Sequence, residues 1–434
     1  MKDTIRNLVK DKKVLILGFG REGQSSFRLI SSVGGFSALD IADANAVSSD
    51  LTATHNVITG ANYLDCLNDY DVVFKSPGIV LPKSINEYTC HITCQADLFL
   101  QVYGAQTIGI TGTKGKSTTS SLLYHILKEC GKDVLFGGNI GLPIFDITDQ
   151  IHPRTIVVFE LSCHQLEYAH YSPSKAILLN LYEDHLDHYG TVEKYWKAKQ
   201  NIYRNQAIND SLFCNPECLP ATGECKATII KVKAADLPFN SFDEIEGVTL
   251  RGTHNLLNTA FVYDVCRRYN ISNEEFEKAL GTFKTLAHRL QFIGTKNEVD
   301  YYDDSISTTV ESAMSAIKAI PNAGTILLGG MDRGIDYDPL VDFLQTRNLE
   351  HIILMYDSGK VILDKLKAVA SDDFMQHVHY IEELSDACAF AKENASKRTA
   401  VILSPAAASY GHFKNFEQRG DFFKEHIFND ASIQ

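Results

Sequence analysis

The sequence has no apolar run that approaches the roughly 18 consecutive residues that a membrane-spanning helix needs. Its first residues, MKDTIRNLVKDKK, also contain no apolar segment of the kind that forms the core of a secretory signal. We therefore expect a cytoplasmic protein without a membrane partner.

Cysteine and positive charge are also scarce. Ten cysteines in 434 residues are too few for a disulfide scaffold, and none forms a Cys-x-x-Cys pair of the kind that binds zinc. The 41 basic and 54 acidic side chains give a net charge of −13, which repels a nucleic-acid backbone on average. We expect reduced thiols and no nucleic-acid partner, while a local basic cleft for a phosphorylated small molecule stays open.

What the sequence does contain is a recurring series: a short apolar run, a turn that often contains glycine, and a helical pattern. The apolar runs lie at residues 14–17, 107–110, 155–159, 176–179, 325–328, 352–355 and 400–403. They are continuous rather than alternating, which is typical of strands covered on both faces. Strands that alternate with helices predict parallel α/β sheets.

The length suggests about three domains at roughly 150 residues each. We predict an α/β protein with domains at residues 1–95, 96–284 and 285–434. The first and last are expected to be Rossmann-like, and the central one is expected to have a phosphate-binding loop and a mainly parallel sheet.

The strongest local signal is the segment 110–118, ITGTKGKST, between an apolar run and a helical pattern. In that setting, backbone N–H groups and a helix N-terminus cradle phosphates. Lys116 would reach the β- and γ-phosphates of a nucleotide, and the Ser117 hydroxyl would bind Mg²⁺. The full phosphate-loop pattern has glycine at the position of Ile110, so a glycine turn without a ligand is the alternative.

A second glycine-rich turn, GFGREG at residues 18–23, follows the first apolar run, and Asp43 lies about 20 residues further on. This spacing matches a dinucleotide-binding turn with an acid for the ribose. Two nucleotide sites in one chain indicate either a nicotinamide enzyme that also uses ATP or a substrate that itself carries a nucleotide. A purely structural turn is the remaining alternative.

Polar residues follow other strand-like runs. Glu160 lies at the end of one run, where a Mg²⁺-associated acid of an ATPase often lies. His185, in the segment YEDHLDH, follows another and is expected to face the ligand crevice, whereas His188 alone is better explained as a solvated loop residue. Lys199 lies on a predicted helix at 192–205 with two other lysines, a pattern that usually marks a solvated face.

Taken in order, these motifs resemble the Mur ligase family of peptidoglycan synthesis over nearly the whole chain. The segment FKNFEQRG at 413–420, with Ser404-Pro405 before it, resembles in particular the D-glutamate-adding branch. The resemblance rests on residues 76–79 (SPGI), 112–118, 138–141 (GNIG), 160–162 (ELS) with Gln165, 183–185 (EDH), Asn255 with Asn258, His288-Arg289, Asp304-Ser305 and 413–420.

The resemblance implies an ATP-dependent ligase that joins an amino acid to a UDP-linked carboxylate through an acyl phosphate. In the branch named above, glutamate of the D configuration is added to UDP-N-acetylmuramoyl-L-alanine in the cell-wall precursor pathway. The two nucleotide sites would then hold ATP and the UDP of the substrate. A monomer is expected, with no partners beyond these substrates.

The resemblance also assigns residues. Lys116, Glu160, His185 and Lys199 would be catalytic. Two Mg²⁺ ions are implied, one at Ser117 and Glu160 and the other at His185 and a carbamate formed from CO₂ on Lys199. ATP contacts are implied for Gly112, Thr113, Lys114, Gly115, Lys116, Ser117, Thr118, Asn255, Asn258, Arg289 and Asp304. Contacts to the UDP substrate are implied for Arg21, Glu22, Asp43, Ser76, Asn139, Ser162, Gln165 and His185, and contacts to glutamate for Thr308, Arg333, Ser409 and Phe416.

The expected glutamate pocket departs from the family pattern at two positions. Where the D-glutamate enzymes carry Asn-Asp-Ser-Lys, this chain has DDSI at 303–306, so Ile306 removes a cation. Arg333 replaces a frequent lysine, and a guanidinium can still bind a carboxylate with two hydrogen bonds. The alternative is therefore the same chemistry with L-glutamate.

Overall fold

The computed structural model describes residues 1–47, 49–285 and 287–429. They divide into two compact units. Unit one consists of Met1–Asn240 and Leu257–Leu280, and unit two consists of Ser241–Leu256 and the chain from Gly281 onward. No helix within the described ranges is both long and apolar enough to cross a membrane.

Among the described residues, five parallel strands form the first sheet, in the order β3-β2-β1-β4-β5. The strands are β1 (Lys13–Leu17), β2 (Ala38–Asp43), β3 (Val57–Thr59), β4 (Val72–Lys75) and β5 (His91–Thr93), and the helices of this part of the chain are α1 (Lys2–Val9), α2 (Arg21–Val33), α3 (Ser49–Thr52) and α4 (Gln95–Tyr103). The chain leaves β1 toward one edge of the sheet and later continues from β4 toward the other. The carboxyl ends of β1 and β4 therefore flank a topological switch point, where ligands of open α/β sheets bind.

The second sheet is parallel as well, and the described chain contributes six strands to it in the order β11-β10-β9-β6-β8-β7. The strands are β6 (Thr107–Thr111), β7 (Val134–Gly138), β8 (Ile156–Glu160), β9 (Lys175–Leu178), β10 (Ser211–Cys214) and β11 (Thr228–Lys231). The helices that follow along the chain are α5 (Lys116–Glu129), α6 (Cys163–Leu166), α7 (Leu186–Tyr189), α8 (Val192–Arg204), α9 (Thr253–Arg267) and α10 (Asn273–Thr282). Every residue of β6 and β8 is buried, as the continuous apolar runs predict.

Across residues 287–429 six strands form the third sheet, in the order β12-β13-β17-β14-β15-β16. The strands are β12 (Gln291–Lys296), β13 (Val299–Asp303), β14 (Ala323–Gly329), β15 (His351–Met355), β16 (Val378–Tyr380) and β17 (Ala400–Leu403). The helices are α11 (Val310–Ala319), α12 (Asp338–Gln345), α13 (Tyr356–Val369), α14 (Asp372–Met375), α15 (Leu384–Asn394) and α16 (Phe416–Phe428). Only β12 is antiparallel to its neighbour among these described strands.

A continuous apolar core joins the first two sheets. Ile16 and Phe74 of the first sheet belong to the same buried cluster as Phe99 of α4 and Phe159 of β8. The rings of Phe99 and Phe159 meet edge to face, with their centroids 5.4 Å apart. This shared core is the physical reason why the two sheets form one compact unit.

The predicted α/β class is confirmed, with two parallel sheets and a third that is parallel except for one edge strand. Each sheet takes its strands from one of the predicted ranges 1–95, 96–284 and 285–434, whereas the compact units group the first two sheets together. The domain boundaries themselves stay a prediction. Residues 286 and 430–434 of the last range lie outside the described residues.

Candidate active site

The loop after β6, residues 112–115, is here named the Gly112 loop. Gly115 has a φ of +85°, and a Cβ on it would lie 2.6 Å from the Asn258 side-chain oxygen. A Cβ on Gly112 would lie 2.8 Å from the Cβ of Leu179. Only glycine fits both positions, and the tight turn sets the N-terminus of α5 directly after the buried strand β6. A helix N-terminus in this position favours a bound anion.

Two lysine side chains converge on the backbone of the Gly112 loop. The Nζ of Lys116 donates hydrogen bonds to the carbonyls of Gly112 and Thr113, each at 3.0 Å. The Nζ of Lys199, on α8, donates to the same Gly112 carbonyl at 2.9 Å. The structure therefore brings together two cations that lie 83 positions apart in the sequence.

Lys199 is 1% exposed, whereas Lys194 and Lys197 on the same helix are exposed. Its Nζ also lies 4.9 Å from the centre of the Tyr195 ring. Burial, and then the charge of Lys116, lower the pKa of Lys199 to about 7. The interpretation of Lys199 as part of a solvated face is therefore wrong, because Lys199 lies on the buried face of α8.

Oxygen atoms gather at the carboxyl end of β8. Glu160 is fully buried there, and its Oε1 accepts hydrogen bonds from Asn139 Nδ2 at 2.8 Å and from the Ser117 hydroxyl at 3.3 Å. Its Oε2 accepts from the Ser120 hydroxyl at 3.0 Å. Ser117, Asn139 and Glu160, which the sequence singled out separately, thus meet at one place, and Ser120 is an addition that the sequence did not indicate.

Asn180, which follows the neighbouring strand β9, holds the Gly112 loop in place. The side chain of Asn180 accepts from the Lys114 N–H at 2.8 Å and donates to the Lys114 carbonyl at 3.1 Å. The Thr113 hydroxyl accepts from the Tyr195 hydroxyl at 3.0 Å. These contacts occupy Thr113 and Lys114, while Thr118 lies half-buried in the first turn of α5. Sequence reasoning missed Asn180 and Tyr195, since neither belongs to a motif with a fixed spacing.

His185 lies just before α7, with a φ of +53° and about half of its side chain exposed. Its ring centre is 5.8 Å from that of Tyr195, whose hydroxyl reaches the Gly112 loop. Its ring centre is also 5.1 Å from that of His164 on α6. His185 therefore belongs to the surroundings of the Gly112 loop, and His164 is a neighbour that the sequence did not single out.

The loop after β1, residues 18–20, is here named the Gly18 loop. Asp43, at the end of β2, accepts hydrogen bonds from the N–H groups of Phe19 at 2.6 Å and Asn45 at 2.8 Å. The Ser76 hydroxyl, directly after β4, donates to the Gly18 carbonyl at 2.8 Å. Asp43 and Ser76 thus hold the Gly18 loop at the switch point of the first sheet.

A polar chain links the Gly18 region to the second sheet within unit one. Gln165 accepts from the Ser162 N–H at 2.9 Å, and its Nε2 donates to Oε1 of Glu22 at 2.5 Å. Burial raises the pKa of Glu22 to about 7. Arg21 donates to the carbonyl of Gly141, also at 2.5 Å. Three of the residues expected to contact the UDP substrate, Ser162, Gln165 and Glu22, are therefore joined by hydrogen bonds.

Lys75 is a buried cation beside this chain that the sequence did not indicate. Its Nζ donates to the carbonyls of Ser76 at 3.3 Å and Pro77 at 3.2 Å. It lies 5.1 Å from the centre of the Tyr168 ring, and burial lowers its pKa. The first sheet therefore presents a positive charge next to the Gly18 loop.

In unit two, Asp304 follows β13 and is buried. Its carboxylate accepts from the hydroxyls of Ser307 at 2.5 Å and Ser404 at 2.7 Å and from the Leu290 N–H at 2.9 Å. Burial raises the pKa of Asp304 to about 6, and the nearby charge of Arg289 acts in the opposite direction. Asp304 and Arg289 are thus neighbours. Asn255, a further residue expected to contact ATP, lies on α9 and donates a hydrogen bond to the Arg251 carbonyl at 2.7 Å.

The residues expected to bind glutamate follow three adjacent strands of the third sheet. Thr308 follows β13, Arg333 follows β14, and Ser409 and Phe416 follow β17. The loops after β14 and β17 are paired, since the Met331 N–H donates to the Ala408 carbonyl at 2.9 Å. Arg333 is exposed and Ser409 is buried.

Arg419 is a fully buried cation on α16 that the site prediction did not include. Its guanidinium donates to the Ser305 hydroxyl at 3.0 Å, to the Ser305 carbonyl at 2.7 Å and to the Ala407 carbonyl at 3.1 Å. The Ser305 hydroxyl in turn donates to the Phe416 carbonyl at 2.8 Å. Arg419 therefore ties together the segments that follow β13 and β17.

The class of protein follows from comparisons with known families and structures. Residues 110–265 match the Mur ligase middle domain, and residues 288–407 match the Mur ligase glutamate ligase domain. The fold is similar to that of the MurF ligase from Thermotoga maritima in complex with ADP, with a TM-score of 0.60 at 17% identity over 98% of this chain and 99% of that one. It is also similar to the UDP-N-acetylmuramate-alanine ligase of the same organism, with a TM-score of 0.55 at 20% identity over 96% and 98%.

Sequence relatives narrow the assignment. The UDP-N-acetylmuramoylalanine--D-glutamate ligase of Clostridium tetani (strain Massachusetts / E88) is 30% identical and is matched over 98% of both chains. The ligase of the same name from Streptococcus sanguinis (strain SK36) is also 30% identical, over 95% of this chain and 96% of the relative. The chain belongs to the Mur ligase family, as its motifs predict.

Proposed function

We propose that the protein is an ATP-dependent ligase that adds D-glutamate to UDP-N-acetylmuramoyl-L-alanine in peptidoglycan precursor synthesis. The names of the relatives that match nearly the whole chain support D-glutamate over the L-glutamate alternative. The substrates, ATP and a UDP-linked precursor, would place the enzyme in the cytoplasm, and we propose that it acts as a monomer.

The observation that carries this proposal is the convergence of Lys116, Lys199 and the Ser117–Glu160 pair around the Gly112 loop. Phosphoryl transfer asks for neutralisation of negative charge at the transferring group, together with exact alignment of the reactants, rather than covalent catalysis by the protein. The Lys116 ammonium group and the N-terminus of α5 supply the first requirement.

In the proposed reaction, the alanyl carboxylate attacks the γ-phosphorus of ATP, the bond to the β–γ bridging oxygen breaks, and ADP leaves with an acyl phosphate formed. The neutral amine of glutamate then adds to the acyl carbon, inorganic phosphate leaves, and the new amide nitrogen loses its extra proton to water. ATP is needed because a free carboxylate is a poor acyl donor. Lys116 would neutralise charge on the γ-phosphate during the first step, with the N–H groups of residues 112–118 on the phosphates.

The Ser117 hydroxyl and the Glu160 carboxylate fit a Mg²⁺ ion, because that ion takes oxygen ligands such as hydroxyls and carboxylates. Ser117 and Glu160 would hold one ion, and His185 with a carbamate on Lys199 would hold the second. Mg²⁺ supplies charge neutralisation of the phosphate oxygens.

The carbamate would form when the neutral ε-amine of Lys199 adds to the carbon of CO₂ and loses a proton. Burial supports this step, since a pKa of about 7 leaves a large neutral fraction at neutral pH. The product reverses the charge at Lys199 and adds two oxygen atoms beside Lys116, whose positive charge favours an anion there.

The remaining roles are proposed from the family resemblance together with the positions described above. Arg21, Glu22, Asp43 and Ser76 around the Gly18 loop would bind the UDP part, since they lie at the switch point of the first sheet. The muramoyl–alanine part would be bound by Asn139, Ser162, Gln165 and His185.

In unit two, we propose ATP contacts for Asn255, Arg289 and Asp304, and Asn258 of unit one would act with the Gly112 loop that it touches. Glutamate contacts are proposed for Thr308, Arg333, Ser409 and the backbone of Phe416. Functional domains at residues 1–95, 96–284 and 285–434 would carry the UDP substrate, ATP and glutamate in turn.

The decisive experiment measures phosphate release by the purified chain with ATP, Mg²⁺ and UDP-N-acetylmuramoyl-L-alanine, with D- or L-glutamate added in separate assays. We expect release with D-glutamate and a product whose mass has increased by one glutamyl residue. Reactions without glutamate serve as the control. A clear preference for L-glutamate would contradict the enantiomer and leave the ligase chemistry, whereas no release with either would contradict the proposal as a whole.

A further inference from the structure

Three side chains on α6, α7 and the residue after α6 form a cluster that the proposed reaction does not use. The nitrogen and oxygen ligand atoms of His164, Glu167 and His188 all lie within 4.8 Å of one another. The Nε2 of His188 is 3.1 Å from the Oε2 of Glu167, and the ring centres of His164 and His188 are 4.3 Å apart. Sequence reasoning favoured a solvated loop for His188, but its side chain is only 9% exposed.

The geometry points to a binding site for a divalent cation of the zinc class at His164, Glu167 and His188. Two imidazoles and one carboxylate are a donor set that suits Zn²⁺, Co²⁺ or Ni²⁺, whereas Mg²⁺ selects oxygen. Ligand atoms around a tetrahedral zinc lie about 3.3 Å apart. The His188–Glu167 pair, at 3.1 Å, already has this spacing, and the ligand atom of His164 lies within 4.8 Å of both. The Mg²⁺ positions proposed above use none of these three residues.

The surroundings hold the three side chains in place. The ring of His164 lies parallel to that of Tyr189, with the centres 5.6 Å apart, and the Tyr189 hydroxyl is 3.4 Å from Nδ1 of His164. Asn201 on α8 donates to the carbonyls of Leu166 at 2.9 Å and Glu167 at 3.3 Å, which fixes the backbone that carries the carboxylate. Partners beyond the ligands that orient them are a regular feature of protein metal sites.

The cluster is only partly enclosed by the protein. Glu167 remains 21% exposed, so an ion has a route to the site from solvent.

A second set of three ligands shares His164 with this site. The ligand atoms of Cys163, His164 and His185 also lie within 4.8 Å of one another. Cys163 is buried, whereas Glu167 presents a carboxylate that is already next to an imidazole. We therefore assign the ion to His188 and Glu167 rather than to Cys163 and His185, and the two assignments differ in which substitution abolishes binding.

The test is a titration of the untagged, metal-free chain with Co²⁺, followed by the visible absorption bands of tetrahedral Co²⁺. We expect one tetrahedral Co²⁺ ion per chain, with displacement by Zn²⁺ and no displacement by millimolar Mg²⁺. His188→Ala and Glu167→Gln should each weaken binding by at least about tenfold, because even the loss of an outer partner costs about 10- to 100-fold. Glu167→Gln keeps the shape of the side chain and guards against a folding defect in His188→Ala.

Two control variants make the outcome unambiguous. His152→Ala removes an exposed histidine elsewhere in unit one, and His185→Ala removes the histidine of the competing set. Both should bind Co²⁺ as the unaltered chain does. The inference is overturned if the unaltered chain shows no tetrahedral bands, if the His188 and Glu167 variants bind normally, or if His185→Ala abolishes binding.

Discussion

In the first sheet the loop after the central strand is held by an acidic side chain and a hydroxyl, whereas in the second sheet the corresponding loop is surrounded by two lysines. The Gly18 loop and the Gly112 loop each follow a strand at a switch point and precede a helix. The Asp43 carboxylate accepts hydrogen bonds from backbone N–H groups at the Gly18 loop. Lys116 and Lys199 donate hydrogen bonds to backbone carbonyls of the Gly112 loop. The same strand–turn–helix geometry therefore acquires different chemistry, and Asp43 and Lys199 contribute to it from 24 and 87 positions away in the sequence.

The largest expected effect comes from the Gly112 loop. Lys116→Ala should lower ligation by about 100- to 1,000-fold, since that is the typical cost of removing one charge-stabilising donor from a preorganised site. Phosphate release measures the loss. Calorimetric binding of the UDP substrate should be unchanged, because the Gly18 loop does not use this lysine, and lost binding would contradict the separation of the two loops.

The next largest effect is expected at Lys199, the second lysine that contacts the Gly112 loop. Lys199→Ala should lower activity by about 100-fold, and acetate or another short carboxylic acid should restore part of it by supplying the oxygen atoms of the carbamate. Lys197→Ala, an exposed lysine on the same helix, is the matched control and should behave as the unaltered enzyme. A fully active Lys199→Ala enzyme would contradict the carbamate and show that Lys199 has a structural role.

Asp43→Asn tests the role of the Gly18 loop in the same comparison. This change keeps the shape of the side chain but removes the negative charge of the carboxylate, which accepts hydrogen bonds from two backbone N–H groups. A hydrogen bond to a charged group contributes about 1.5–3 kcal/mol. We expect the KM for the UDP substrate to rise by about tenfold, with the KM for ATP unchanged. An equal rise in both constants would mean that the Gly18 loop serves the whole site.

The smallest effect is a pH dependence of stability that originates at Glu22. Its folded-state pKa of about 7 lies above the ordinary value, so the folded state holds the proton more tightly and is relatively more stable below pH 4.5. That contribution is lost as pH rises through 7. Because Glu22 is half-buried, we expect a change of about 1 kcal/mol.

Urea unfolding of the unaltered chain and of Glu22→Gln at pH 5 and pH 8 measures this contribution. The difference in free energy of unfolding between the two pH values should be smaller in Glu22→Gln. Identical pH dependence in the two proteins would remove Glu22 as its source.

The parallel sheets could be predicted from the sequence because buried strands leave continuous apolar runs, as β6 and β8 do. The edge hairpin of β12 and β13 could not. Its strands carry lysine, threonine and aspartate, and its turn at Asn297 and Glu298 has positive φ at both residues without a glycine to mark it. Glycine is the usual sign of such a turn, so no local signal was available.

For the candidate site, motif residues could be found but their partners could not. Lys199 looks like the two other lysines of α8 until the helix is docked, and only then is its burial apparent. Asn180 and Arg419 act through contacts with loops that lie 66 and 114 positions away in the chain. Such contacts depend on tertiary packing, which the spacing of residues does not encode.

The core shared by the first two sheets determines which fragments of the protein can fold and how the intact chain unfolds. Ile16, Phe74, Phe99 and Phe159 belong to one buried apolar cluster that spans the junction near residue 95. Asp146 accepts hydrogen bonds from Ser25 and Arg28 of α2. A fragment that ended at residue 95 would leave this apolar surface in water and should aggregate or unfold. Scanning calorimetry of the intact chain should therefore show the first two sheets melting in a single transition, although the sequence suggests that they are separate domains.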